Sequence, residues 1–487
     1  MSEPTFLFHD YETFGADPRR DRPSQFAAIR TDADFNPIGE PEVLYCRQAE
    51  DYLPHPMACL ITGITPQQAN RRGLPEMEFA ERINELMSVA GTCSVGYNSL
   101  RFDDEVSRHL FYRNLLDPYA REWQNGNSRW DLIDAVRTFY ALRPEGIEWP
   151  MREDAQGRRA PSFKLDQLSV ANGIEHADAH DALADVRATI EMAKLLKSCN
   201  AKLFDYLLGL RDKHRVNGLL DIETRKPMVH ISRRYPAARG CCALIAPLAR
   251  HPNNSNGVIV ADLSVDPEPL LSLSVEEIRE RVFVSREELA EGVERIPLKV
   301  VQVNRSPVLL PINTLDAAAA ERLDIDRAQA QQHWQALSGA SDLAEKVAAV
   351  FSSGYQDSPN DPDLMLYSGA FFSAADKAAM AQVHQHHGWD LVGIAPPFRD
   401  PRLEEMLFRM RARSYPETLE GEDRERWDAL RWERFNSSQL SALTLQGFAR
   451  EIERLNQTLP SENEQQRRLL EELAIHVEAI MPAQAFE

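Results

Sequence analysis

The chain has 487 residues, of which 43% are hydrophobic, with six cysteines and a formal charge of -20 at pH 7. This length exceeds what one hydrophobic core usually serves, so two or three domains are expected. The cysteines show no C-x-x-C spacing, which argues against a zinc site and a disulfide scaffold. We find no apolar run that could cross a bilayer and no signal peptide at the first residues, and therefore expect a cytoplasmic protein.

The acidic balance speaks against a nucleic-acid partner, because phosphate binding normally requires a basic surface. The charge is distributed unevenly, however. Between Arg211 and Arg239 eight basic residues stand against three acidic ones, which gives a local charge of +5. This count is compatible with a local basic surface and equally with an ordinary solvated face.

From Thr5 to about Lys197, short apolar strands alternate with amphipathic helices, a pattern typical of an α/β fold with a central sheet. The segment up to residue 197 is therefore predicted to form one domain. Strands are predicted at Phe6–Phe8, Phe26–Ile29, Val43–Tyr45 and Cys93–Val95, and helices at Glu76–Val89, from Phe102, at Asp131–Leu142, at Ser162–Asn172 and at His180–Leu196.

The remainder of the chain changes character twice. Residues 198–350 contain short β-type runs broken by Pro, Asn and Gly, which predict a small β-rich domain closed by helices. Those runs are Met228–Ile231, Cys242–Ile245, Gly257–Val260, Arg281–Val284 and Leu298–Val303. Residues 351–363 are dense in turn formers and are predicted as a linker. Residues 364–487 read as helix almost throughout, including a helix at Ser438–Leu455, and predict an all-helical third domain.

Two acids two positions apart stand out in the first strand. In an extended strand, residues i and i+2 point to the same face, so Asp10 and Glu12 would project side by side. Two buried carboxylates in this position are costly unless a cation lies between them.

Further acids follow at element boundaries. Asp103 and Asp104 come where a helix begins, and spacing alone does not choose between them. His180 and Asp185 are five residues apart, a step that rotates about 140° around a helix. They can reach one point if His180 lies on the loop before the helix and Asp185 lies in its first turns. Asp131 is interpreted as a helix cap, and Asp181 as an acid at a helix N-terminus that complements the helix dipole.

Taken together, these stretches resemble the motifs of a known class of nucleases. Asp-x-Glu-Thr in a first strand, Asn-x-x-x-Phe-Asp and His-x-x-x-x-Asp in a late helix are similar to the motifs of DEDD exonucleases with a catalytic histidine, which have a ribonuclease H-like fold. The stretches Phe6–Gly15, Asn98–Glu105, Asn127–Asp131 and Ala141–Gly146 resemble the bacterial exonuclease I family in particular. That family also has an SH3-like β domain and a helical C-terminal domain.

The resemblance implies roles for individual residues. It implies metal ligands at Asp10, Glu12, Asp103 and Asp185, and a general base at His180. Hard oxygen ligands suit two Mg²⁺ ions, with Mn²⁺ as a substitute. We also expect residues that hold the last nucleotides of the substrate, and these are Thr13, Phe14, Leu60, Thr62, Gly63, Phe102 and Lys164.

The resulting hypothesis is a processive 3′→5′ exonuclease that degrades single-stranded DNA to 5′-mononucleotides in DNA repair and recombination. The resemblance further implies a monomer that docks the acidic tail of single-stranded DNA-binding protein, with Arg143 as a contact. One alternative is an exonuclease that trims RNA or proofreads, because the motifs do not distinguish an RNA substrate from a DNA substrate. Another alternative is a non-catalytic adaptor that binds single strands. The presence of suitable residues at all five catalytic positions argues against it.

Overall fold

A computed structural model of the chain describes residues 4–153, 157–176, 181–285, 288–352, 359–460 and 463–482. The chain forms two compact units. The first combines Met1–Ser128, Ala177–Arg187 and Asp357–Glu487, and the second combines Arg129–His176 and Ala188–Gln356. Among the described residues, no helix is both long and apolar enough for a membrane span. The domain boundaries predicted from the sequence stay predictions.

The strands and helices predicted in the first 131 residues are confirmed with somewhat different bounds, and one strand and two helices that were not predicted, Ser128–Asp131, Pro56–Thr62 and Pro66–Arg72, are present as well. The strands are β1 (Thr5–Thr13), β2 (Pro23–Thr31), β3 (Glu42–Tyr45), β4 (Thr92–Gly96) and β5 (Ser128–Asp131), and the helices are α1 (Pro56–Thr62), α2 (Pro66–Arg72), α3 (Glu76–Ser88) and α4 (Asp103–Arg113). The strands form one sheet in the order β3-β2-β1-β4-β5. Strand β1 is central, antiparallel to β2 and parallel to β4.

The middle of the chain is richer in strands. Its elements are α5 (Leu132–Leu142), β6 (Met151–Glu153), β7 (Arg159–Pro161), α6 (Leu165–Ala171), α7 (Ala182–Cys199), α8 (Ala201–Gly209), α9 (Lys213–Leu219), β8 (Met228–Ile231), β9 (Cys242–Arg250), β10 (Gly257–Asp262), α10 (Glu268–Ser272), α11 (Val275–Phe283), β11 (Leu298–Gln302), β12 (Val308–Pro311), α12 (Ala317–Arg322), α13 (Arg327–Ser338) and α14 (Leu343–Val350). Five strands of the second unit form a sheet in the order β11-β10-β9-β8-β12. Asp131 caps α5 as predicted, because its carboxylate accepts the Ile133 backbone N–H.

One predicted strand is wrong, because Arg281–Val284 lies at the end of helix α11. The Ser274 side chain accepts the Glu277 backbone N–H, and the Glu277 side chain accepts the Ser274 backbone N–H, which forms a capping box. Ile278 and Val282 are four residues apart and are both buried on the helix that follows. Strand β12, which was not predicted, pairs antiparallel with β8.

The C-terminal segment is helical, as predicted. Its helices are α15 (Ala374–Val383), α16 (Arg402–Ser414), α17 (Gly421–Asn436), α18 (Leu445–Thr458) and α19 (Glu464–Ala479). The helix predicted at Ser438–Leu455 begins only at Leu445, since the Thr444 side chain accepts the Gly447 backbone N–H and caps the helix there. Part of the predicted linker, residues 353–358, lies outside the described residues.

The first unit is held together by apolar cores that join its early and late segments. One core combines Phe14 and Tyr52 with Phe448 and Leu473 from α18 and α19. A second combines Met77 of α3 with residues of α15 and α16. Burial of apolar surface therefore fastens the C-terminal helices to the segment that carries β1.

A buried network of arginines and aspartates reinforces this packing. The Arg413 guanidinium lies 2.9 Å from Asp51 and 2.6 Å from Asp363, and Arg434 lies 2.7 Å from Asp363. Burial by itself would raise the pKa of Asp51, but the Arg413 and Arg434 guanidiniums outweigh it and hold this pKa well below its usual range. Charges this deeply buried are tolerated because each has its partner in place.

We predict that Arg413→Ala destabilises the protein strongly. The change removes the shared partner of two buried aspartates, and losing one member of a buried ion pair costs about 3–5 kcal/mol. Urea unfolding measures the effect. Arg468→Ala is the matched control, because its pair with Glu464 joins side chains that are 76% and 80% exposed. Similar losses in the free energy of unfolding for Arg413→Ala and Arg468→Ala would contradict the proposed importance of the network.

Candidate active site

The site begins at the end of strand β1. Along this strand, Leu7 and Tyr11 face a core shared with α3 and α4, so Asp10 and Glu12 project from the opposite face. Asp10 lies opposite Ala27 and Glu12 opposite Gln25 on the antiparallel strand β2. The pairing with β4 reaches only as far as Phe8. Both acids therefore extend beyond the end of the neighbouring parallel strand.

Helix α7 contributes the third acid. It begins at Ala182, whose backbone N–H donates to the Gln25 side chain at 3.3 Å, so the start of α7 lies beside the strand position opposite Glu12. Asp185 lies in the first turn of the helix. Asp181 accepts the backbone N–H groups of Leu183 and Ala184 at 3.1 and 3.2 Å, which confirms it as a helix N-terminal acid. His180 lies outside the described residues.

These elements bring three carboxylates together. One oxygen each of Asp10, Glu12 and Asp185 lies within 4.8 Å of the others. Such a cluster of hard oxygen donors fits a divalent cation of the Mg²⁺ type.

The two adjacent acids at the start of α4 have different partners. Asp103 accepts the Tyr11 backbone N–H at 3.2 Å, and Tyr11 lies between Asp10 and Glu12 in β1. Asp104 forms a buried ion pair of 2.7 Å with Arg121. Asp103 therefore belongs to the neighbourhood of the strand acids, whereas Asp104 serves a structural ion pair. The sequence pattern did not predict Arg121 as the partner of Asp104.

The electrostatics of the site follow from burial and mutual repulsion. Burial raises the pKa of Asp10 well above its usual range, and Asp103, Glu12 and Asp185 raise it further. Burial, followed by repulsion from Asp185 and Asp103, raises the pKa of Glu12 to about 9. Burial and mutual repulsion therefore favour the protonated forms of Asp10 and Glu12 when no cation is bound, and a bound cation favours their carboxylate forms.

The residues predicted to hold the substrate fall into different environments. Leu60 and Thr62 lie in the last turn of α1, and Gly63 ends that helix with φ of 69°, a left-handed conformation that favours glycine. Thr13 follows Glu12 in β1, and its hydroxyl donates to the Gly15 carbonyl oxygen at 2.7 Å. Phe102 is the residue that precedes α4. These five residues belong to the first unit.

The structure corrects the prediction for Phe14. Its side chain is completely buried in the apolar core that contains Tyr52, and its carbonyl oxygen accepts the Tyr52 hydroxyl at 3.0 Å. A ring enclosed by the protein core has no surface to offer a nucleotide base. The apolar character that predicted stacking on a base instead serves packing.

Lys164 and Arg143 lie in the second unit. Lys164 is exposed and precedes helix α6. The Arg143 side chain is 39% exposed and lies 3.8 Å from Asp316 and 3.4 Å from the Thr314 carbonyl oxygen.

Comparison with known families covers most of the chain. Residues 7–193 match the model described as exonuclease, residues 211–353 match the exonuclease I SH3-like domain, and residues 360–480 match the exonuclease I C-terminal domain. Exonucleases of this kind depend on metal ions, and the acidic cluster at β1 fits that requirement.

Similar proteins agree along nearly the whole length. Exodeoxyribonuclease I of Escherichia coli is 48% identical over 463 residues, which are 95% of each chain, and that of Haemophilus influenzae is 44% identical over 471 residues, 96% of this chain and 97% of its own. The structure of E. coli exonuclease I with a dA16 oligonucleotide superposes with a TM-score of 0.93 at 48% identity, covering 98% of this chain and 100% of the other. A structure of SSB/exonuclease I with the inhibitor CFAM gives 0.89 at 46% identity and covers 99% and 100%.

The fold and the acidic site thus define a metal-dependent exonuclease with two accessory domains. The chain belongs to the exonuclease I family. The predictions of this family, of its three-part fold class and of an exodeoxyribonuclease are confirmed.

We predict that the metal-free protein loses stability as the pH rises. The folded-state pKa of Glu12 lies above its ordinary value of 4.5, so its contribution is complete below that pH and is lost as the pH rises through about 9. Melting temperatures in EDTA across this range measure the loss. Glu12→Gln should flatten the pH dependence, and so should a saturating divalent cation. Glu464→Gln, at a side chain that is 80% exposed, is the control and should leave the slope unchanged. If the melting temperature depended equally on pH in the unaltered protein, Glu12→Gln and Glu464→Gln, the raised pKa of Glu12 would be refuted.

Proposed function

We propose that the chain degrades single-stranded DNA from the 3′ end to 5′-mononucleotides, using two Mg²⁺ ions, and that it acts in the cytoplasm in DNA repair and recombination. The observation that carries this proposal is the cluster of Asp10, Glu12 and Asp185 at the end of β1, in a chain 48% identical to an exodeoxyribonuclease I. A relative bound to a dA16 oligonucleotide supports a single-stranded substrate.

Four carboxylates would hold the metal. Asp10, Glu12 and Asp185 supply the clustered oxygens, and Asp103 supplies a fourth group that acts electrostatically on both strand acids. When bound, two divalent ions acidify the attacking water and neutralise charge on the departing 3′ oxygen. The protein keeps these carboxylates ready by holding β1 between two strands and by anchoring Asp103 on the Tyr11 N–H.

His180 is the proposed general base. It directly precedes Asp181, the acid that caps α7, and Asp185 follows in the first turn of that helix. An imidazole with an ordinary pKa of about 6.5 can accept the proton of the attacking water near neutral pH. Such proton transfer accelerates reactions by about 10²–10⁴-fold.

The last nucleotides of the strand would be held next to the acids. Thr13, Phe102, Leu60, Thr62 and Gly63 are the proposed contacts in the first unit, where the backbone at Gly63 has no side chain to block a sugar. Lys164 in the second unit would add a point charge for phosphate.

A basic segment supplies further phosphate contacts in this proposal. Among the basic residues from Arg211 to Arg239, Arg225 is buried against the chain, but Lys213, Arg215, Lys226, Arg233 and Arg234 are exposed. Exposed cations along a strand path bind phosphate without reading sequence. They would give an acidic protein a local surface for DNA.

The proposed protein partner is single-stranded DNA-binding protein, because one relative has been solved as an SSB/exonuclease I assembly. An acidic tail would pair with Arg143, which is partly exposed and whose nearest acidic partner, Asp316, is 3.8 Å away. We further propose a monomer with domains at 1–197, 198–350 and 364–487, joined by a linker at 351–363.

Labelled oligonucleotides test the function. With Mg²⁺, a single strand labelled at its 5′ end should shorten progressively from the other end, and a 3′ label should be released as a mononucleotide. EDTA should stop both reactions.

Two variants test the proposed active-site residues. Asp10→Ala should abolish cleavage while binding of the strand persists in Ca²⁺, and His180→Ala should slow cleavage by about 10²–10⁴-fold. Preferred cleavage of RNA would favour the RNA-trimming alternative, and binding without any cleavage would favour the adaptor.

The adjacent acids of α4 provide a matched pair of variants. Asp103→Asn should reduce turnover severely with little change in melting temperature, since it removes a proposed ligand. Asp104→Asn should lower the melting temperature, because it leaves the buried Arg121 guanidinium without its carboxylate partner. Turnover and thermal unfolding of both variants check this assignment. The reverse pattern would identify Asp104 as the ligand.

A further inference from the structure

A row of polar side chains crosses three strands of the first sheet beside the acidic cluster. Glu12 of β1 lies opposite Gln25 of β2, and Gln25 lies opposite Tyr45 of β3. Residues directly opposite each other in antiparallel strands point to the same face of the sheet. Gln25, which is only 1% exposed, is therefore the neighbour of Glu12 on the face that carries the acids.

The side-chain amide of Gln25 has a defined orientation. Its Oε1 accepts the Ala182 backbone N–H at 3.3 Å, and its Nε2 donates to the Tyr45 hydroxyl oxygen at 2.9 Å. A backbone N–H can only donate, so the amide oxygen must face Ala182 and the nitrogen must face Tyr45. Tyr45 is itself held by Arg72, whose guanidinium lies 4.2 Å from the ring centroid and donates to the hydroxyl at 3.0 Å. The sheet thus directs one fixed acceptor at the start of α7.

This acceptor completes the first turn of helix α7. The first N–H groups of a helix lack partners within the helix. Asp181 accepts the N–H groups of the second and third residues of α7, and Gln25 accepts that of the first, Ala182. Ala182 is completely buried, so the sheet satisfies an N–H group that water does not reach. The same hydrogen bond joins β2 to the turn that carries Asp185.

We propose that Gln25 is a positioning residue that holds Asp185 close enough to Glu12 for both to bind one divalent cation. This inference rests on the proposed function, in which these carboxylates hold metal. Their oxygens lie within 4.8 Å although the two groups repel each other, so the start of α7 needs an attachment that opposes their separation. Gln25 supplies it with a neutral amide. A cationic side chain there would compete with the metal, and an acidic one would add to the repulsion.

Apolar packing also attaches the first turns of α7, since the side chain of Val186 is buried. Apolar attraction is non-directional, however, and does not fix how far a helix slides or turns on the sheet. A hydrogen bond is directional, and the amide of Gln25 is fixed by a partner at each end. The proposal therefore predicts a specific loss of cation affinity rather than only a general loss of stability.

Binding of Mn²⁺ to the full-length protein without DNA tests the role of Gln25. Electron paramagnetic resonance measures the free ion during the titration. Gln25→Leu keeps the approximate size of the side chain and removes both hydrogen bonds. It should weaken Mn²⁺ binding by about 10–100-fold, which is the usual loss when a partner that orients metal ligands is replaced. The Mg²⁺ concentration for half-maximal DNA degradation should rise by a similar factor.

Gln48→Leu is the matched control. Gln48 is also a buried glutamine, at 9% exposure, and its Nε2 donates to the carbonyl oxygens of Pro23 and Cys46 at 3.2 and 3.3 Å. These carbonyl groups belong to β2 and to the residue after β3, not to α7. Gln48→Leu should therefore lower the melting temperature in EDTA, as Gln25→Leu does, but leave the affinity for Mn²⁺ unchanged.

A second variant guards against misfolding of Gln25→Leu. Tyr45→Phe keeps the aromatic ring next to Arg72 and removes the hydroxyl that orients the amide. It should weaken Mn²⁺ binding in the same direction as Gln25→Leu but by a smaller factor. If Gln25→Leu does not fold, Tyr45→Phe decides alone, and an unchanged affinity in this variant would overturn the positioning role.

Asp185→Asn separates this inference from the proposed function. If it binds Mn²⁺ as tightly as the unaltered protein, both the metal-binding function of the cluster and the role of Gln25 are wrong. If Asp185→Asn binds Mn²⁺ more weakly while Gln25→Leu and Tyr45→Phe bind it like Gln48→Leu, the positioning role is overturned and the proposed function stands. Weaker binding in Asp185→Asn, Gln25→Leu and Tyr45→Phe, but not in Gln48→Leu, is the expected result.

Discussion

Mutual repulsion among buried carboxylates is the constraint around which the first unit is built. Asp10, Glu12 and Asp185 would separate if their backbones were free to move, yet their oxygens lie within 4.8 Å of one another. The fold prevents separation by pairing β1 with β2 alongside both strand acids and by starting α7 beside β2. The fold thereby keeps the carboxyl groups together, so that a cation can take the place of the protons on Asp10 and Glu12.

The adjacent acids of α4 show how finely this placement is set. Successive residues on a helix point about 100° apart, so neighbours in sequence face different parts of the structure. Asp103 turns towards β1 and accepts the Tyr11 N–H, while Asp104 turns towards Arg121. Two carboxylates of the same chemistry thus separate into an electrostatic partner of the strand acids and a buried structural ion.

Local patterns in the sequence predicted those features that depend on local physics. The shared face of Asp10 and Glu12 in β1, the capping acids Asp131 and Asp181, and the helices of the C-terminal segment follow from side-chain period and capping chemistry. The prediction failed where partners distant in sequence decide the outcome. Phe14 directly follows the residues of the acidic motif, yet its side chain is enclosed by residues more than four hundred positions later. The strand predicted at Arg281–Val284 is wrong for a different reason, because the capping box of Ser274 and Glu277 starts a helix that continues through Phe283.

The packing of Phe14 changes how the C-terminal helices should be viewed. A family model treats residues 360–480 as a domain of their own, but these residues share one compact unit with β1. Phe14 comes two residues after Glu12 and lies in the same apolar core as Phe448 and Leu473. The ion pair between Asp51 and Arg413 joins residues 362 positions apart in the sequence. It is a second link between the early and late segments of this unit. The end of the strand that carries the acids is therefore held by the last part of the chain, and the site depends on helices that contribute no ligand to it.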